Sequence, residues 1–105
     1  MNAQFSFSPS SAADFIALLA HPKRLQVLEL VTQREWDVTS LAEKVSLSQS
    51  ALSQHLKKLR DGKLVMTRRE AQTVYYSCSS AAVAVVLRAL IELFAKTGTV
   101  EEMIS

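Results

Sequence analysis

Gly62 marks the point where the spacing of apolar residues changes, and that change limits the folds open to this chain more than any other feature. Before it, Leu52, Leu56 and Leu59 fall at i, i+4 and i+7, the stripe of a helix seated on a core. After it, LVMTRREAQTVYYSC alternates with a period of two and reads as two strands, about 64–69 and 73–78, joined around Glu70, Ala71 and Gln72. A lone two-stranded ribbon is marginal in water, so this one must pack against helices.

Upstream, the first eight or so residues have no periodicity and read as a flexible arm, 1–9. Ser11 and Asp14 form a plausible capping pair for a helix near 12–20. In HPKRLQVLELV, Pro22 falls in a first helical turn, where its missing N–H costs nothing, and Leu25, Leu28 and Val31 form the inward stripe of a helix over about 22–34. His21, just before that proline, reads as a cap or a surface residue. WDVTSLAEKV gives a break and then barely two helical turns, with Thr39 or Ser40 as N-cap. Ser46, Leu47 and Ser48 turn the chain into the helix of about 49–61. Downstream of the strands, Ser79 or Ser80 caps a helix of some 17 residues ending at Gly98. Its apolar residues, from Val83 to Phe94, cover more than one face, which calls for a second partner, most simply another copy of the chain.

The 105 residues, 49% apolar and 21% charged, read as one folded domain over 1–105. The chain has no apolar run of about 18 residues and no basic start followed by an apolar core, so no membrane span or signal peptide is indicated and a cytoplasmic location is expected. Cys78, the only cysteine, allows no internal disulfide. Charge is unevenly spread: residues 48–78 carry a net +4, and the segments before and after carry −1 each. The positive field is therefore centred on the polar-faced helix and the ribbon.

Three helices, a tight turn, a polar-faced helix, a ribbon and a last helix make a mainly α fold with a small β-hairpin, the winged helix-turn-helix. In that arrangement the helix of 49–61 enters a major groove of duplex DNA. There glutamine can bond an adenine edge bidentately and serine can meet several base edges, whereas lysine mainly finds phosphate. Arg68 and Arg69 on the ribbon supply phosphate or minor-groove contacts. Lys57 and Lys58 read equally well as phosphate contacts or as solubility charges. His55 reads as a packed or phosphate-bonding residue, and Trp36, Tyr75 and Tyr76 as core or wing packing.

LSQSALSQHLKKLRDGKLV, followed by TRREAQTVYYS and preceded by LAHPKRLQVLELV, closely resembles the ArsR family of bacterial winged-helix repressors, in particular its branch of nodulation and virulence or haemolysin regulators. The resemblance spans about residues 14–95. It implies a homodimer that binds imperfect palindromes in promoter DNA, with Gln49, Ser50, Ser53 and Gln54 reading bases and Arg68, Arg69 and Gln72 on the wing. It also implies a dimer interface on the first and last helices, drawn from Phe15, Leu18, Val83, Val86, Leu87, Leu90, Ile91 and Phe94. Three family sensors find no counterpart: the cysteine pair in the short helix, the aspartate and histidine on the last helix, and the paired cysteines on the second and last helices. No metal and no cofactor is therefore expected. Where the family commonly has glycine directly before Leu-Val, this chain has Gly62-Lys63-Leu64, so either the helix ends early at Gly62 or Lys63 turns left-handed.

Two rival readings stand beside the repressor. One is a redox- or sulfide-responsive repressor that uses Cys78 across the dimer; the other is a winged-helix module whose polar helix faces a protein. Catalysis has no support, since no nucleophile set or glycine-rich phosphate loop has a recognisable motif.

Overall fold

The computed structural model describes residues 7–97; Gly98, expected to end the last helix, lies outside them. The order is α1 (Pro9–Leu19), α2 (Pro22–Gln33), β1 (Trp36–Asp37), α3 (Val38–Val45), α4 (Gln49–Asp61), β2 (Met66–Glu70), β3 (Thr73–Ser77) and α5 (Ala81–Thr97). The winged helix-turn-helix expected from the sequence is present, with one strand more than expected.

Each helix start is set by a local acceptor for its first N–H groups. Ser8 caps α1 by accepting from Ser11 N–H, with Pro9 at the first position, so the expected arm of 1–9 is corrected: its last two residues are the cap and first turn of a helix that begins earlier than residue 12. His21 caps α2 through Nδ1, which accepts from Lys23 N–H at 3.1 Å. Asp37, not Thr39 or Ser40, caps α3 by accepting from Ser40 N–H at 3.1 Å. Ser48 caps α4, and Ser80 accepts from Val83 N–H at the start of α5.

β1 was hidden in the expected break. Its two residues pair antiparallel with β3, Trp36 opposite Tyr76 and Asp37 opposite Tyr75, giving a three-stranded sheet in the order β1-β3-β2. Two residues carry no periodicity, so sequence pattern alone had nothing to register. Trp36 holds the strand in place: its ring packs on the core, its Nε1–H donates to Leu30 O at 3.1 Å, and the Arg34 guanidinium lies 3.6 Å from the ring centre. The hairpin pairs Glu70 with Thr73, so only Ala71 and Gln72 form its loop, and Ala71 takes a left-handed φ of 56°.

One apolar cluster joins all five helices and the sheet: Leu19 of α1, Leu28 and Val31 of α2, Leu41 and Val45 of α3, Leu52, Leu56 and Leu59 of α4, Cys78 after β3, and Val83 of α5. The expected stripe of α4 is wholly buried. Polar side chains tie the helix ends to this core. Lys23 Nζ donates to Val45 O at the end of α3, and Arg24 Nη1 donates to Leu18 O at the end of α1, at 3.0 Å.

α3 and α4 end alike. Leu47 N–H bonds back to Ala42 O and Ser46 N–H to Glu43 O, while Leu64 N–H bonds to Leu59 O and Lys63 N–H to Arg60 O. Both are Schellman turns, which need one left-handed residue, and here it is Ser46 at φ 59° and Lys63 at φ 62°. Gly62 itself has an ordinary φ of −81°. What the glycine allows there is close approach: a Cβ on Gly62 would overlap Cδ1 of Leu18 and push that side chain aside. The glycine is used for helix packing, and the lysine next to it bears the turn.

Two consequences can be measured. Lys63→Gly relieves the left-handed lysine and should stabilise the fold by about 1 kcal/mol, raising the melting temperature by roughly 4–8 °C; an unchanged or lower value refutes the account of the turn. His55 is half-buried, its ring centre 4.5 Å from that of His21. Burial first, then the charges of His21, Arg24 and Lys58, hold its pKa below the ordinary 6.5. The unfolded chain therefore takes up this proton before the folded one does. Stability should be complete above about pH 6.5 and decline as pH falls below it, ahead of the carboxylate range. Melting curves between about pH 7 and 5 should show this slope, and His55→Gln should flatten it.

Candidate nucleic-acid interface

α4 presents opposite chemistries on its two sides because leucines occupy the positions facing the core. Gln49, Ser50, Ser53, Gln54 and Lys57 are exposed, while Leu52, Leu56 and Leu59 are not. The four uncharged polar residues occupy the first half of the helix, and Lys57, Lys58 and Arg60 the second. The expected base-reading set therefore shares one exposed face, with donors and acceptors rather than fixed charges at its leading end.

Within this face the leading glutamine is held. Gln49 Nε2 donates to Thr39 Oγ1 of α3 at 3.2 Å, leaving Oε1 and the second N–H for a ligand. Ser50 Oγ lies 3.4 Å from Ser48 Oγ. Thr39 also lines, with Asp37, Gln72, Thr73 and Tyr76, an open recess between the start of α3 and the hairpin. Thr39 and Gln72 thus lie on the rim shared by helix and wing. The sequence reading passed over Thr39 as a possible cap, because nothing in linear order shows that it meets a side chain ten residues later.

The cations divide into engaged and unengaged. Lys57 Nζ lies 2.8 Å from Asp61 Oδ2 one turn on, both well exposed, a pair of small energetic weight that a phosphate can displace. Arg68 is held more firmly. Its Nε and Nη2 donate to the two oxygens of Glu35 at 2.9 Å each, and Nη1 donates to Glu70 Oε1 at 2.7 Å. These bonds hold the Glu35 carboxyl below its usual range and push the guanidinium further up. Arg69, next in β2, is exposed, and no carboxylate pairs with it among the described residues.

The residues expected at a dimer interface separate by burial. Val83 is 0% exposed and has no surface left to offer a partner, so its place in that set is corrected: it belongs to the core, while Ala81, Ala82 and Ala84 around it are exposed. Phe15, Leu18, Val86 and Leu87 are half-buried against the core, and Leu90 is half-buried too. Ile91 is 55% exposed and Phe94 44%, and Ile16 of α1, which the sequence reading overlooked, is 59% exposed. Leu25, Leu87, Leu90, Ile91 and Phe94 line an open apolar groove between α2 and α5.

Cys78 is 7% exposed, and its N–H donates to Val31 O. The thiol is thus largely covered within one chain, the usual setting of a structural cysteine. Among the described residues no three His, Cys, Asp or Glu side chains gather as a metal site, and no helix is long and apolar enough to cross a membrane.

Comparison with known proteins agrees with this geometry. The family model described as bacterial regulatory protein, arsR family, matches residues 21–67, from the α2 cap to the start of β2. The nodulation protein NolR of Rhizobium meliloti is 54% identical over 92 residues, covering 87% of this chain and 75% of that protein. The transcriptional activator HlyU of Vibrio cholerae is 41% identical over 89 residues, covering 85% and 82%. The crystal structure of NolR from Sinorhizobium fredii superposes with a TM-score of 0.77 at 50% identity, over 86% of this chain and 96% of that one. With an exposed polar face on α4 seated on buried leucines, arginines on the wing and these relatives, the chain belongs to the ArsR family of bacterial regulatory proteins and is a DNA-binding transcriptional regulator.

Proposed function

We propose that this regulator is a homodimeric repressor that binds pseudo-palindromic promoter DNA and acts by occluding polymerase. One observation carries the reading: α4 is fixed by three leucines without solvent exposure, so its glutamines and serines are held outward as a unit. In a major groove Gln49, Ser50, Ser53 and Gln54 read base edges, while Lys57, Arg69 and Gln72 meet the backbone. Two copies related by a twofold axis place their α4 helices in successive grooves about 34 Å apart. A module that used α4 to bind protein would gain little from a face so poor in apolar side chains, which disfavours that rival.

Dimerisation is supported by the apolar side chains that one chain leaves in water. Ile16, Ile91 and Phe94, on the first and last helices, are each more than two-fifths exposed, an arrangement a second copy would cover. Phe15, Leu18, Val86, Leu87 and Leu90 back them from the half-buried layer.

Genome-wide mapping of bound DNA followed by a footprint on the strongest site gives the duplex for two tests. Gln49→Ala or Ser53→Ala should weaken binding to that site by about 1–3 kcal/mol and leave affinity for random duplex unchanged; equal losses on both DNAs defeat the base-reading assignment. Ile91→Glu together with Phe94→Glu should convert a dimer to a monomer in sedimentation and lower site affinity by more than about tenfold, some 1.4 kcal/mol. A wild-type protein that sediments as a monomer at micromolar concentration contradicts the dimer.

A further inference from the structure

Arg68 and Arg69 are neighbours on β2, so they project to opposite faces of the wing. Their surroundings differ accordingly. Arg68 faces two carboxylates, Glu35 through a bidentate fork and Glu70 through a single bond, and its guanidinium carbon lies 4.8 Å from the ring centre of Tyr75, its register partner on β3. One guanidinium between two carboxylates leaves that spot formally negative, which is unfavourable for a phosphate. The fork also spans 33 residues, joining the wing to the loop between α2 and β1. β2 is the edge strand of the sheet, hydrogen-bonded only to β3, and the fork reaches across β3, over Tyr75, to the residue before β1, so it limits how the edge of the wing swings. Arg69 has no such engagement among the described residues.

We propose that Arg68 is a positioning residue that Glu35 and Glu70 lock in place to fix the angle of the wing, and that Arg69 is the cation the wing brings to DNA. Glu35, an acid, thereby becomes a working part of the DNA-binding machinery. The inference rests on the reading of the hairpin as a DNA-binding wing.

The opposed signs of its consequences make it testable. If Arg68 were a phosphate contact, Glu35→Gln would release it and remove a repelling charge, tightening binding. As a brace, Glu35→Gln loosens the wing and weakens binding to the mapped promoter duplex by about threefold. Arg68→Lys separates the roles again, because lysine retains a phosphate contact but cannot form the fork. It should lose as much affinity as Glu35→Gln, and the dependence of log K on log salt should keep its slope. Arg69→Gln should make that slope shallower by about one. In the free full-length protein, Glu35→Gln and Arg68→Lys should both speed amide exchange over 66–77.

Tighter binding by Glu35→Gln, a slope reduced by one in Arg68→Gln, or unchanged exchange in both variants overturns the brace. An unaltered slope in Arg69→Gln would instead remove the wing from the DNA interface, and the exchange measurement still decides what Arg68 does.

Discussion

The burial of Leu52, Leu56 and Leu59 in one cluster with Leu28, Val31, Leu41 and Val45 fixes the rotation of α4 about its own axis. Successive residues of a helix are 100° apart, so a small roll would carry a leucine towards water and bring Ser53 or Gln49 towards the core. Exposing one such leucine costs about 2 kcal/mol, and burying an unpaired amide adds roughly 1–3 kcal/mol. Rotations that move the polar face are therefore penalised on both sides of the helix. The orientation of the polar face is thus set by the buried residues on the opposite side of the helix.

The core alone would not set where α4 begins. That depends on the turn from α3, where Ser46 adopts the left-handed conformation, Leu47 turns back to Ala42 O, and Ser48 opens the next helix. Much of this was legible, because Ser48 and Gly62 bracket a leucine stripe of unmistakable period. The start of α3 was not. Asp37, Thr39 and Ser40 can all cap a helix, and the choice is made by Trp36, whose seat on the core and bond to Leu30 O place Asp37 at the helix entrance. A tertiary contact decided a local question, which residue order cannot show.

Charge was legible in amount and not in arrangement. The segment 48–78 carries a net +4, yet Glu35, counted with a different and acidic segment, folds onto Arg68, and Asp61 engages Lys57. Within 48–78 the cations left without a carboxylate among the described residues are Lys58, Arg60, Lys63 and Arg69. Three of these follow the half of α4 that carries the glutamines and serines, and the fourth is on the wing. The surface is therefore electrostatically graded, neutral where side chains would reach base edges and positive towards its flanks. That division matches what DNA offers, since base edges discriminate by hydrogen-bond pattern and the backbone attracts by charge.

The same distinction between linear and spatial order governs the last helix. Its apolar residues cover too many faces for one role, and the structure divides them by face: Val83 is in the core with the α4 leucines, Val86, Leu87 and Leu90 are half-buried, and Val85, Ile91 and Phe94 remain in water. Val83 thus anchors α5 to the core that seats α4, while Ile91 and Phe94 leave exposed apolar surface further along. A helix rises 1.5 Å per residue, so the eleven steps from Val83 to Phe94 span about 16 Å of continuous rod. In a twofold dimer formed on that open end, the distance between the two reading faces is transmitted through these rods and not through loops. In such a dimer a change in the pairing of α5 alters the spacing of the two α4 helices without touching a residue of α4.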